Sequence, residues 1–129
     1  MKKVLVVEDN SDNLRLITYA LKRHGYEVIS AETGMQGVAL ANSELPAFIL
    51  MDINLPDIDG LEATRRIRQS SVHGSVPIIA ITSYAMAGDM DMVLDAGCTG
   101  YFEKPIDPLT IMDKIHALLA RKETHTTGQ

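Results

Sequence analysis

Phe48-Ile49-Leu50-Met51-Asp52-Ile53-Asn54 is apolar for four residues and then turns to a carboxylate and, two residues on, an amide. The apolar part is strand-sized and continuous rather than alternating, as expected of a strand in a parallel sheet with helices on both faces. Four further short runs repeat the theme at Val4 to Val7, Tyr26 to Ile29, Ile78 to Ile81 and Thr99 to Phe102. Between them lie segments of helical period, such as Leu14, Ile17 and Leu21, then Leu61, Thr64 and Ile67, then Ile111, Ile115, Leu118 and Leu119. The order is strand then helix, five times.

Stop and start signals agree with these bounds. Gly25 and Gly97 sit where a helix would end on a left-handed residue, and Asp107-Pro108 reads as an N-cap followed by proline at the first helical position. Right-handed crossovers leave few topologies, and the simplest is an open, doubly wound α/β sandwich of three layers with a five-stranded parallel sheet. A length of 129 residues predicts one domain, taken as 1–120, with 121–129 as a flexible C-terminal tail.

The composition is 46% hydrophobic and 22% charged, ordinary for a globular chain. A formal charge of -5 disfavours nucleic acid and anionic membranes as partners. No apolar run is long enough to span a bilayer, and the start lacks the apolar core of a signal peptide, so a cytoplasmic location is expected. The single cysteine, Cys98, excludes an internal disulfide and reads as a small buried hydrophobe. His24, His73, His116 and His125 are scattered and are assigned no site. Met86, Met90 and Met92 of the fourth helical segment read mostly as packing, with an adaptable partner surface as the alternative.

In open α/β sheets ligands bind beyond the carboxyl ends of the strands. Those ends carry Glu8-Asp9-Asn10, Asp52-Ile53-Asn54, Thr82-Ser83 and Glu103-Lys104-Pro105. Converging carboxylates repel one another unless a cation joins them, and a small all-oxygen ligand set favours magnesium over calcium. Lys104 and Thr82 add a positive charge and a hydroxyl suited to an anion beside the metal, which together describe a phosphoryl group. The turn after the first strand is acidic, unlike the glycine- or hydroxyl-rich cradle of a bound nucleotide or flavin, so Asp52 itself is the better candidate for phosphorylation. The turn-rich segment Leu55-Pro56-Asp57-Ile58-Asp59-Gly60 leaves it accessible.

From Val4 to about Leu119 the chain resembles the receiver domains of two-component response regulators. The resemblance is carried by Val4-Leu5-Val6-Val7-Glu8-Asp9-Asn10, by Leu50 through Gly60, by Ile81-Thr82-Ser83 and by Tyr101-Phe102-Glu103-Lys104-Pro105, with the hydroxyl 30 and the lysine 52 residues beyond Asp52. It implies a flavodoxin-like sheet of strand order 2-1-3-4-5. It implies that Asp52 accepts a phosphoryl group from a phosphohistidine, and that Glu8, Asp9, Asp52 and the backbone carbonyl of Asn54 hold Mg2+. Lys104 would pair with a phosphoryl oxygen, across a candidate cis Lys104-Pro105 bond, and Thr82 would bond another. Small Ser83 would keep the site open. Tyr101 would be the aromatic switch, altering a partner face built from the fourth helix, fifth strand and fifth helix; its bland alternative is a core filler beside the last helix. For Asp9 the alternative is a helix cap, a task open also to Asn10 or Ser11.

Glu8 stands where some members carry aspartate, and Ala47 follows Pro46 where many have aspartate. The implied upstream partner is a histidine kinase or histidine phosphotransfer domain docking beside Asn10 and Asn13. Thr82-Ser83-Tyr84-Ala85-Met86 and Gly88-Asp89 resemble cell-cycle and hybrid-kinase receivers, so the expectation is a stand-alone receiver or phosphorelay intermediate, or a receiver excised from a hybrid kinase. Few residues follow Ala120, so no DNA-binding effector is expected. The protein is read as a signalling phosphoacceptor rather than an enzyme. A phosphatase resembling the haloacid dehalogenases is disfavoured because Asn54 replaces its second aspartate. A phosphorylation-silent scaffold would lack the acceptor, hydroxyl or lysine, and a flavodoxin-like electron carrier would need a different first turn.

Overall fold

The structure is a computed structural model that describes residues 2–70, 74–83 and 87–127, with the backbone alone for 87–89 and 121–127. Five strands, β1 (Lys3–Val7), β2 (Glu27–Ala31), β3 (Phe48–Asp52), β4 (Ile78–Thr82) and β5 (Gly100–Glu103), alternate with α1 (Ser11–Arg23), α2 (Gly34–Glu44), α3 (Gly60–Gln69), α4 (Ala87–Asp95) and α5 (Ile111–Thr127). All strand pairs are parallel and the order is β2-β1-β3-β4-β5, as the resemblance implied.

Side chains alternate across a strand, so each strand feeds two cores. Leu5, Val7, Ile49, Met51, Ile78 and Ala80 face one layer with Leu61, Ala63 and Ile67 of α3 and Val93 of α4. Val4, Val6, Phe48, Leu50, Ile79 and Ile81 face the other, with Ile17 and Leu21 of α1 and Ile111 and Ile115 of α5. β3 and β4 are buried at every residue, which is why their sequences show no polar alternation. β2 lies at the sheet edge, and this explains why its apolar run understated it: the strand continues past Ile29 through exposed Ser30 to Ala31.

Helix ends follow local chemistry. Asn10 caps α1, its side chain accepting from the Asn13 amide at 2.9 Å, so Asp9 is left without that structural task. Gly25 (φ 85°) and Gly97 (φ 109°) take left-handed conformations, as predicted. Asp107 accepts from the Leu109 amide at 2.9 Å and its carbonyl receives the Thr110 and Ile111 amides, so the predicted cap opens a turn and α5 proper starts at Ile111. The α5 backbone runs past Ala120 to Thr127, since neither glycine nor proline interrupts 121–127. Cys98 is buried within the α3/α4 layer. Of the three methionines, Met90 and Met92 are exposed on α4, whereas Met86, like Tyr84 and Ala85 of the quoted cell-cycle-like segment, lies outside the described residues. No described helix is long and apolar enough to cross a membrane.

Candidate phosphoacceptor site

The register sets the site. β1 and β3 are neighbours with Val7 opposite Met51, and β3 and β4 with Asp52 opposite Ile81, so the residues that follow β1 and end β3 and β4 emerge on one rim. Glu8, Asp9 and Asp52 each place a carboxylate oxygen within 4.8 Å of the others. Glu8 and Asp52 are each only 1% exposed, while Asp9 faces solvent. Lys104, beyond β5, reaches across the rim: its Nζ lies 3.1 Å from Asp52 Oδ2 and 3.4 Å from Glu8 Oε1. The Lys104-Pro105 bond is cis, as the resemblance implied.

Every oxygen of the buried pair can be followed. Asp52 Oδ1 accepts the Asn54 amide at 3.1 Å and Oδ2 the Lys104 ammonium. Glu8 Oε2 accepts the Asn10 amide at 3.2 Å. Glu8 Oε1 has only the 3.4 Å ion contact with Lys104, which lacks hydrogen-bond geometry, and accepts no hydrogen bond at all. A buried, unsatisfied carboxylate oxygen is costly and calls for a cation or a proton. Burial first, and then the neighbouring Asp52 carboxyl, push Glu8 up from 4.5 to about 7, against the pull of the Asn10 amide and Lys104. Three carboxylates and one ammonium are two charges short of neutrality, and the donor set is all oxygen, which fits a hard divalent cation.

Thr82, buried, ends β4, and the Lys104 amide donates to its carbonyl at 2.7 Å, which ties the lysine loop to the threonine strand. Exposed Ser83 follows it. Tyr101 is half-buried and packs against the layer of α3 and α4, while Phe102 packs on the α1/α5 side.

Two contributors were not legible as such. Asp57, quoted only as part of a turn-rich loop, accepts the Gly34 and Met35 amides at 2.7 and 2.9 Å and so clasps the loop after β3 to the N-terminus of α2. These bonds, that from Met35 first, hold its carboxyl below the ordinary carboxylate range. Gly60 must be glycine: a Cβ there would stand 2.1 Å from the Asp52 carbonyl oxygen. An Asp followed by Gly three residues later was visible, but the amides that Asp57 accepts come from α2, and the Asp52 carbonyl that Gly60 abuts is brought there by the fold of the loop between them.

Comparison with known proteins agrees with this geometry. The family model described as response regulator receiver domain matches residues 4–116. The polar-differentiation response regulator DivK of Brucella ovis is 36% identical over 118 residues, covering 92% of this chain and 96% of its own. Among solved structures, the receiver domain of a sensor histidine kinase from Pseudomonas aeruginosa PAO1, with a magnesium ion coordinated in its active site cleft, superposes with a TM-score of 0.83 at 36% identity, over 92% of this chain and 98% of that one. Chemotaxis protein CheY4 of Vibrio cholerae gives a TM-score of 0.86 at 28% identity over the same shares.

Proposed function

Since this chain belongs to the response regulator receiver family, we propose that it carries a phosphoryl group on Asp52, taken from a phosphohistidine, and that Mg2+ supports the transfer. The observation that carries the reading is the convergence of Glu8, Asp9 and Asp52 with Lys104 reaching over them, and the orphaned Glu8 Oε1 among them. Glu8, Asp9, Asp52 and the Asn54 backbone carbonyl would hold the metal, which when bound supplies the positive charge that lets an anionic donor approach anionic oxygens. A carboxylate oxygen of Asp52 forms the new bond to phosphorus while the bond to the donor nitrogen breaks, its electron pair leaving with the imidazole. Lys104 gives up its hold on Asp52 and pairs with a phosphoryl oxygen, and the Thr82 hydroxyl donates to another once its loop has moved inward, so the charge on the transferred group is met by an ammonium and a hydroxyl.

The buried flank of Asp52 directs its reactivity outward. The amide of Asn54 occupies one oxygen and the α2 clasp holds the loop beneath, so the approach lies over Asp9 and the exposed start of α1, where Asn10 and Asn13 stand. A histidine kinase or histidine phosphotransfer domain is the donor partner on this reading, and self-phosphorylation from small donors with slow self-hydrolysis is the limit of its own catalysis. The output is a protein partner, bound on the face formed by α4, β5 and α5, where a groove is lined by Leu94, Tyr101, Lys114 and Leu118; Tyr101 and Thr82 would couple the site to that face. The setting is cytoplasmic, and the domain boundary near Ala120 belongs to the same proposal.

The test is intact-mass spectrometry after incubation with acetyl phosphate, with and without Mg2+, on the wild type and Asp52→Asn. A gain of one phosphoryl group that needs Mg2+ and vanishes in the variant is expected. Labelling that persists in Asp52→Asn would move the acceptor elsewhere, and no labelling from either acetyl phosphate or a phosphohistidine donor would favour a scaffold.

A further inference from the structure

His24, at the end of α1, and His116, on α5, meet 92 positions apart in sequence and near the amino ends of the strands, away from the carboxylate rim. Both are exposed, their ring centres lie 6.2 Å apart, and the planes cross at 71°. His24 Nδ1 is 3.0 Å from the Ala20 carbonyl oxygen. A carbonyl only accepts, so Nδ1 carries the proton and the neutral ring keeps its lone pair on Nε2. His116 Nε2 lies 3.4 Å from the Tyr26 hydroxyl. Tyr26 is itself held half-buried, edge-on to the buried Phe48 ring at 5.5 Å. Each imidazole thus has one nitrogen engaged by a protein oxygen and the other without a partner among the described residues.

In the tautomer in which His116 donates Nε2–H to the Tyr26 oxygen, its lone pair is on Nδ1, and both rings then have the arrangement in which imidazoles bind transition ions: one nitrogen donates to a protein oxygen and the other lone pair goes to the metal. We propose that His24 and His116 form a two-histidine site for a borderline divalent transition ion of the zinc class, bridging the end of α1 to α5. Two imidazoles on one tetrahedral zinc place their ring centres roughly 5 to 6 Å apart, against the 6.2 Å between His24 and His116. Among the described residues no third histidine, cysteine or carboxylate converges with the pair, so water completes the coordination. Nitrogen donors discriminate against magnesium, which makes this site chemically distinct from the oxygen-lined rim.

The experiment follows imidazole resonances of the full chain by NMR as zinc chloride is added in the presence of excess magnesium chloride, which competes for the rim. His24 and His116 are expected to shift together and saturate at one zinc per chain. His24→Gln and His116→Gln, both at exposed positions, should leave the amide spectrum otherwise intact, weaken the midpoint by about tenfold or more, and silence the remaining partner. An undiminished response of His116 in His24→Gln, or zinc responses confined to His73 and His125, would overturn the site. The outcome does not depend on whether Asp52 is phosphorylated.

Discussion

Glu8 is where the rim stores its unneutralised charge. Its carboxyl titrates near 7 when folded and at about 4.5 in an unfolded chain. Between those values the folded state holds a proton that the unfolded state has lost, so without metal stability falls as pH rises through this window and is level above it. The melting temperature in a chelating buffer is therefore expected to drop by several degrees between about pH 5 and about pH 8. Glu8→Gln should flatten that slope. Mg2+ should act oppositely, gaining affinity as pH climbs toward 7 because its ligands must be deprotonated. Isothermal titration at several pH values, beside the melting curves, checks both; a pH-independent Mg2+ affinity would mean that Glu8 is not part of the metal shell. In the sequence Glu8 was readable as a candidate ligand from its place after an apolar run. Its orphaned oxygen was not, because that depends on Asp52 and Lys104 arriving from 44 and 96 positions away.

The helices and loops that frame the rim were legible in proportion to how local their signals are. Asn10, Thr33 and Asp59 each cap a helix through the amide three residues on, a pattern contained within one turn. The Asp57 clasp links a loop to a helix 23 residues earlier and has no local signature. Yet it carries a consequence for the whole loop, because Ile58 packs so closely on α2 that a Cβ at Gly34 would stand 2.5 Å from its side chain. Asp57→Ala removes both hydrogen bonds while leaving that contact. Amide exchange at Gly34 and Met35 is then expected to accelerate by about tenfold or more, with the sheet amides unchanged, since loop opening is local rather than global. Exchange rates equal to those of the wild type would show that Ile58 alone holds the loop.

Across the whole molecule, the five-run pattern gave the architecture because β1, β3 and β4 are interior strands whose runs 4–7, 48–51 and 78–81 are buried on both faces and wholly apolar, while β2 and β5, at the edges, were located less sharply. The order of the strands came from the family resemblance, as no feature of a single run says which neighbour it takes. The rim residues sit above an apolar floor that is complete without them, so the two can be perturbed separately. Leu50→Ala, in the fully buried centre of β3, should cost about 2–5 kcal/mol, read as a lower denaturation midpoint at unchanged slope; a loss below about 1 kcal/mol would mean that the core relaxes around the gap. The order β2-β1-β3-β4-β5 also bears on how the chain is made. Once β1 and β2 have paired, every later strand joins at an outer border, in the sequence in which the ribosome delivers it, and none has to be inserted between strands already zipped. Lys104 comes last of the rim residues. A nascent chain thus presents its carboxylates bare, and the ammonium that closes over them is delivered only with the final strand, so that competence to carry a phosphoryl group coincides with completion of the sheet.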